Sequence, residues 1–344
     1  MAVNNLKIIL TIVACMIGVV AGIAWGSVHV PFVNVFGIIG HVAFGLELPG
    51  HIGEAELAIV WSVRLPRAVL AFLAGAALSL SGAIMQSVLR NPLASSYTLG
   101  VSSGASLGAA LVIFLGLSLP IMPWLTIPVA GFTLGLGTIV LVLSASTRLD
   151  TAGQNFTVIL VGMILSLFIN AITTLLFSLF GENVQRMVFW QMGSFSLHGW
   201  NPVLVLSPLL AVGLVLVWRA SMELDILTFG EEQAEAAGVD ALRVKRGLLL
   251  ASAALTGSTI SFIGVVGFVD LVAPHIVRKM FGASHRVVVP MSALVGGSFM
   301  VLCDLAARTL LAPIELPVGA VTATLGAPFF AYIYFTNRGV RVNA

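Results

Sequence analysis

The chain has 344 residues, of which 59% are hydrophobic and only 9% are charged, and its formal net charge is +2. This composition is typical of a protein that is surrounded mostly by lipid, and so small a net charge argues against a nucleic-acid partner. The sequence therefore predicts an all-α polytopic membrane protein in the cell membrane, with one transmembrane domain over residues 1–344.

Ten apolar runs predict about ten transmembrane helices, since roughly 20 helical residues cross hydrocarbon that is about 30 Å thick. They cover residues 7–27, 64–88, 97–117, 124–146, 155–180, 201–219, 246–264, 267–281, 287–311 and 318–336. The first run is interpreted as a retained span, because no small-residue cleavage site precedes a soluble domain. The eighth run is short and contains Pro274, so we expect an irregular or partly buried element there.

The basic residues predict the orientation of these spans. With the N-terminus inside, twelve of the 16 lysines and arginines fall on the cytoplasmic side. The other four fall outside, and they are Arg64, Arg67, Arg186 and Arg308. This distribution satisfies the positive-inside rule, whereas the reverse orientation would violate it. We therefore expect both termini to be cytoplasmic.

The longest polar insertion is the segment from about residue 222 to residue 245. Its sequence predicts short helices separated by Gly238, with Glu231 and Glu232 near the positive end of the first helix. A small acidic helix pair of this kind would suit the docking of a cytoplasmic partner. An ordinary solvated loop helix explains the segment as well, so the residues alone leave both interpretations open.

Several hydroxyl and amide side chains within the predicted spans are candidates to line a wet pathway. They are Gln86, Ser102, Ser103, Ser106 and Asn170. Hydrogen bonding between packed helices is the alternative role for each of them.

Several different short motifs are distributed along most of the chain. They include Arg64-Leu65-Pro66-Arg67, Arg90-Asn91-Pro92-Leu93-Ala94, the run from Leu271 to Arg278, and Glu315-Leu316-Pro317-Val318-Gly319. In this order they resemble the permease subunits of the type II ABC importers that carry iron-siderophore complexes, haem and cobalamin. The resemblance covers about residues 60–336, and the first 60 residues are expected to add only a span and a loop.

The resemblance implies a permease subunit that forms the translocation pathway of an ATP-driven importer. The expected assembly is a homodimer, or a close heterodimer, with two cytoplasmic ATPase subunits and a periplasmic or lipid-anchored substrate-binding protein. ATP and magnesium would bind to the ATPase, so this chain would hold no cofactor or metal and would not be an enzyme. The expected cargo is a bulky metal chelate, with a ferric siderophore ahead of haem, cobalamin and oxyanions such as molybdate.

The resemblance also assigns roles to individual residues. The ATPase-coupling residues would be Gly230, Glu231, Glu232, Glu235, Ala236 and Gly238. The inner gate would contain Asn91, Leu93, Asp150 and Thr151. Docking of the binding protein would use Arg64, Arg67 and Arg308. A structural role at helix ends remains open for these arginines, and a plain helix stop remains open for Asn91.

Three acidic or histidine side chains stand apart from these motifs. Asp270 replaces the glycine that is more usual in the family, and an acid near the membrane is expected to face water, a partner or a pathway. Asp304 lies four residues before Arg308, which predicts an intrahelical ion pair. His275 has no second ligand at a suitable spacing, so no metal site is expected there.

Two other classes of protein remain as alternatives. A secondary transporter is disfavoured because most spans carry no charged residue, and ion-coupled carriers normally need intramembrane acids. An intramembrane enzyme is disfavoured because no pair of nucleophile and base can be assembled from the sequence.

Overall fold

The computed structural model describes residues 5–26, 30–149, 154–196 and 199–342, with residues 333–342 described by their backbone alone. Regular structure within these ranges is helical throughout. The α-helices are α1 (Asn5–Ala24), α2 (Phe32–Phe44), α3 (Glu54–Ala58), α4 (Leu65–Val88), α5 (Val101–Leu115), α6 (Thr126–Leu149), α7 (Asn155–Leu179), α8 (Val184–Met192), α9 (Asn201–Arg219), α10 (Ser221–Leu227), α11 (Glu231–Ala236), α12 (Ala241–Ile263), α13 (Val269–Phe281), α14 (His285–Thr309) and α15 (Val318–Val342). A π-helical turn, Ile59–Arg64, joins α3 to α4.

Seven helical segments in the described ranges are long and apolar enough to cross a membrane. They are α1, the continuous α3–α4 segment, α6 with the turn before it, α7, α9, α12 and α14. α5 and α13 are shorter, with 15 and 13 residues. Each of the ten predicted spans coincides with a helix, which confirms an all-α polytopic fold and makes ten an approximate count of crossings.

Helix α4 lies at the centre of the bundle and packs against α9, α12, α13 and α14. Its most extensive packing is against α14, where Gly75 faces Gly296. A Cβ atom on either glycine would overlap atoms of the other helix. Small residues of this kind let two backbones meet where lipid supplies no hydrophobic drive for association.

The expectation of a simple loop between the first two spans is wrong. Helix α2 occupies this stretch, and Val35 and Ile38 pack with Ile23 of α1 and Val60 of the π-helical turn. The 13 residues of α2 rise only about 20 Å, so a criterion based on span length passes over this helix.

The eighth predicted span is the continuous helix α13. Pro274 lacks the N–H that would bond the carbonyl of Asp270, and Gln86 Nε2 of α4 donates to that carbonyl instead, at 3.0 Å. The irregular backbone precedes the helix, at Phe268, where φ is +70°. The element is partly buried, as expected, and its irregularity lies before the helix rather than at the proline.

Candidate functional site

The 222–245 segment forms two short helices, α10 and α11, followed by the first turn of α12. Gly230 and Gly238 flank α11 with φ values of +130° and +80°, a region of backbone space that favours glycine. Asp240 Oδ1 accepts a hydrogen bond from the backbone N–H of Arg243 at 3.0 Å, which caps α12. Gly238 follows the first predicted short helix, α11, as expected, but the stretch after it is the start of the long helix α12 rather than a second short helix.

The glutamates of α11 face in different directions. Lys245 of α12 is buried, with 3% of its side chain exposed, and its Nζ lies 2.8 Å from Glu231 Oε1. Glu231 therefore holds α11 against α12. The other predicted coupling residues on this helix and after it are exposed: Glu232, Glu235, Ala236 and Gly238. The coupling role of all six residues stays a prediction.

The loop between α4 and α5 contains the first half of the predicted inner gate. Asn91 Oδ1 accepts from the backbone N–H of Leu93 at 2.9 Å, which closes a turn around Pro92 just after the end of α4. Leu93 is exposed. Asp150 and Thr151, the second half of the gate, lie outside the described residues. The gate therefore stays a prediction.

This loop lies against the 222–245 segment. A Cβ atom built on Gly230 would lie 3.4 Å from Arg90 Nη1, so the arginine side chain reaches the start of α11. Arg90 itself has a φ of +49°, which is unusual for a residue with a side chain. The sequence-predicted gate loop and the predicted coupling residues are thus brought together at one end of the bundle.

The three arginines predicted to dock a binding protein lie together at the opposite end. Arg64, Arg67 and Arg308 line a cavity of about 330 Å³ with Glu315. Arg64 is buried, and its Nη1 donates to the carbonyl of Ala24 at 2.6 Å. Arg308 donates to the carbonyl of Gly22. Both side chains hold the end of α1 to the bundle, as the structural alternative requires, and docking stays a prediction.

Arg67 is the centre of an ion-pair network. Its guanidinium lies 3.0 Å from Asp304 Oδ1 and 2.9 Å from Glu315 Oε1. Hydrogen bonds from Arg67 hold the pKa of the Glu315 carboxyl below its ordinary value. The predicted intrahelical contact of Asp304 with Arg308 is present at 3.7 Å, but Arg67 is the closer partner.

A cavity of about 530 Å³ lies where the N-terminus of α13 faces α8 and α15. Tyr97, Gln191 and Asp270 supply polar groups to its wall. Among the described residues, Asp270 Oδ1 has no hydrogen-bond partner, while its Oδ2 accepts only long bonds from Ser96. The other residues of the wall are mostly apolar, so the cavity is an apolar one with a single acid whose hydrogen bonding is incomplete.

Three of the five pathway candidates hydrogen-bond to residues in or next to the wall of this cavity, and the other two lie elsewhere. Ser106 accepts from Gln191, Ser102 donates to Ser96, and Gln86 donates to the carbonyl of Asp270. Ser103 is half-buried on α5, and Asn170 is exposed on α7. The structure does not bring the five side chains to one surface, and the pathway role stays a prediction for each.

Sequence reasoning assigned no role to Asp225 or His285, which form a contact across the bundle. Asp225 Oδ1 lies 2.5 Å from His285 Nδ1 and accepts the backbone N–H of His285 at 2.9 Å. His285 lies two residues before the predicted ninth span, 287–311, so an ionisable residue at a membrane boundary was the signal available.

The family model of the FecCD transport family matches residues 11–336. The ABC transporter permease protein YvrB of Bacillus subtilis is 43% identical over 94% of this chain and 92% of its own length. The cobalamin import system permease protein BtuC of Halobacterium salinarum is 37% identical, covering 87% of this chain and 79% of its own length. A solved structure described as an inward-facing metal-chelate type ABC transporter superposes with a TM-score of 0.83 at 29% identity, over 97% of this chain and 100% of that chain.

A multi-pass helical bundle with a short-helix segment at one end is the architecture of an ABC importer permease, and the superposition shows the same fold. The chain belongs to the FecCD transport family. The match begins at residue 11 and so includes most of α1 and all of α2, which the sequence motifs left out.

Proposed function

We propose that this chain is the permease subunit of an ATP-driven importer for a bulky metal chelate, and that a ferric siderophore is its cargo. The match of the FecCD family model across residues 11–336 carries this proposal. The metal-chelate description of the superposed transporter supports the cargo class. The cobalamin relative makes cobalamin the first alternative cargo, followed by haem and molybdate.

In the proposed assembly two copies of this chain enclose the pathway in the inner membrane, with both termini in the cytoplasm. Two ATPase subunits bind the cytoplasmic end of the bundle, where α10, α11 and the α4–α5 loop meet. A periplasmic or lipid-anchored binding protein delivers the cargo at the end that carries Arg64, Arg67 and Arg308. ATP and magnesium bind to the ATPase subunits.

The exposed acids of α11 support this placement of the ATPase. Glu232 and Glu235 project from a helix that the Glu231–Lys245 ion pair fixes to α12. A short helix that is exposed on one side and anchored to a long helix on the other is suited to transmit a displacement of a docked partner to the bundle. Charge complementarity at such a surface mainly sets the register of the partner and the rate of association.

Reconstitution in proteoliposomes tests the proposal. The permease is combined with the ATPase and binding protein encoded beside it, and uptake of a ferric siderophore, haemin, cobalamin and molybdate is measured with and without ATP. We expect ATP-dependent uptake of the ferric siderophore. Uptake by the permease alone, driven by a proton or sodium gradient, would identify a secondary transporter and overturn the proposal.

A further inference from the structure

A continuous series of polar side chains connects the cytoplasmic α10 helix to the start of α13. It begins at Asp225 of α10, which binds both the backbone N–H and the Nδ1 of His285. His285 Nε2 lies 2.6 Å from Ser87 Oγ of α4. Three helices are thus joined within two side-chain contacts.

The series continues on the other side of Ser87. Arg278 of α13 donates from Nη2 to Ser87 Oγ at 2.9 Å, and from Nη1 to Gln86 Oε1. Gln86 Nε2 then donates to the carbonyl of Asp270 at 3.0 Å, the carbonyl that Pro274 leaves without its helical partner. We name the side chains of Asp225, His285, Ser87, Arg278 and Gln86 the relay.

Each contact in the relay has a consistent donor and acceptor. An ionised Asp225 only accepts, so the proton of a neutral His285 lies on Nδ1 and its Nε2 is the acceptor. The single proton of the Ser87 hydroxyl has two acceptors within reach, His285 Nε2 at 2.6 Å and the carbonyl of Ala83 at 2.8 Å. Arg278 Nη2 also donates to the Ala83 carbonyl, at 3.1 Å, so the hydroxyl proton can go to Nε2 while Ser87 Oγ accepts from Arg278. The assignment of this tautomer follows from the pattern of partners rather than from observed hydrogens.

The relay is protected from water over most of its length. His285 has 2% of its surface exposed, and Gln86 and Ser87 each have 5%. A buried polar group that loses its partner finds no water to replace it, so breaking one contact is costly. Displacement of Asp225 therefore either carries the neighbouring side chains with it or leaves buried groups unpaired.

One end of the relay lies next to the segment proposed to bind the ATPase, and the other end lies at the cavity at the N-terminus of α13. Asp225 belongs to α10, directly before the segment proposed to bind the ATPase, and α10 packs against α14, which His285 begins. At the other end, Asp270 and Phe268 line the 530 Å³ cavity at the N-terminus of α13. A Cβ atom on Gly82 would overlap the carbonyl of Asp270, so α4 and α13 are also in backbone contact there.

We infer that the relay links movement of the ATPase-binding segment to the position of α13, and that His285 is its central positioning residue. This inference rests on the proposed function, since it requires that α10 and α11 move with a bound ATPase. Neither the comparisons nor the sequence motifs assign this role to any of the five side chains. The relay adds a side-chain connection between α13 and α10 to the short chain connection that residues 282–284 make between α13 and α14.

The test measures uptake and ATP hydrolysis in the same proteoliposomes, for the complete complex with its ATPase and binding protein. The relay variants are His285→Phe, which keeps a ring but removes both nitrogens, and Ser87→Ala. The matched control is Thr256→Val, because Thr256 donates to Ser81 of α4 at 2.7 Å in a buried contact between α12 and α4 outside the relay. Assembly and melting temperature are recorded for every variant.

We expect the relay variants to hydrolyse ATP within about twofold of the wild type and to lose at least tenfold in cargo transported per ATP. Asp225→Asn combined with Ser87→Ala should be no worse than the more severe single variant, since both act through His285. The Thr256→Val control should retain the wild-type ratio of uptake to hydrolysis.

Relay variants that keep the wild-type ratio would overturn the inference, and so would a parallel loss of hydrolysis and uptake, which indicates a role in assembly alone. Additive losses in the double variant would also contradict a single connected series. If the wild-type complex shows no ATP-dependent uptake, the proposed function fails and the inference fails with it. The wild-type measurement therefore separates the two failures.

Discussion

The two ends of the bundle use their charged residues differently. At the end with Arg64, Arg67 and Arg308, the arginines are bound to carboxylates or carbonyls of the chain itself. At the end with α11, Glu231 is paired with Lys245, while Glu232 and Glu235 remain exposed. A charge with buried partners is costly to remove, because its partner is then left buried and unpaired, whereas an exposed charge is available to another protein.

Removing Arg67 should have the largest effect on folding. Its side chain is 12% exposed and that of Asp304 is 3% exposed, so Arg67→Met leaves Asp304 as a buried charge without its closest partner. Breaking a buried ion pair in this way costs about 3 to 5 kcal/mol. The measurement is thermal or denaturant unfolding of the permease in detergent.

The pair formed by Arg243 and Asp240 provides the matched control for Arg67. It lies at the opposite end of the bundle, and the Arg243 side chain is 87% exposed. Arg243→Met should change the free energy of unfolding by about 0.5 kcal/mol or less. Equal destabilisation by the two variants would show that the arginine cluster is as solvated as an ordinary surface pair.

Neutralising Glu231 should destabilise the chain less than the loss of Arg67, yet more than a change to a surface glutamate. Glu231→Gln leaves Lys245 buried with a weaker partner, and a hydrogen bond to a charged group contributes about 1.5 to 3 kcal/mol. We expect detachment of α11 to appear as faster hydrogen exchange in residues 231–236. Unchanged exchange there would mean that Glu231 does not fix the helix.

The predicted spans were recoverable from the sequence because hydropathy and length report on contact with lipid. The same criteria passed over α2, whose 13 residues are too few for a span. The motifs located the arginine cluster but not its partners, since Arg67 and Asp304 are 237 residues apart. The contact between Asp225 and His285 was missed for the same reason, because pairing between distant helices depends on how they pack.

Reversing the exposed acids of α11 should affect partner binding without affecting the fold. Glu232→Lys combined with Glu235→Lys is expected to weaken binding of the ATPase at least tenfold, or about 1.4 kcal/mol, and to leave the melting temperature unchanged. Affinity is measured for the permease and ATPase alone. The matched control is Glu47→Lys with Glu54→Lys, two exposed acids in another part of the chain with the same change in charge.

Equal weakening by both double variants would indicate an unspecific charge effect rather than a docking surface. Weakening that disappears at high salt would show that the glutamates steer the ATPase to the surface, since exposed charges are screened over about 8 Å at physiological ionic strength. The salt-dependent result would sharpen the contrast with Arg67, whose partners lie within the chain, whereas equal weakening by both double variants would remove it.

The smallest expected effect is a dependence of stability on pH that comes from Glu315. Its folded-state pKa is lowered by Arg67, so the stability it contributes is complete above the ordinary glutamate pKa of about 4.3 and is lost as the pH falls through the lower folded-state value. The side chain is 48% exposed, so this contribution should be below about 1 kcal/mol. Glu315→Gln should remove that part of the acid dependence and leave Arg67 paired with Asp304. An acid unfolding curve that is the same in Glu315→Gln and the wild type would show that Asp304 alone provides the carboxylate that Arg67 requires.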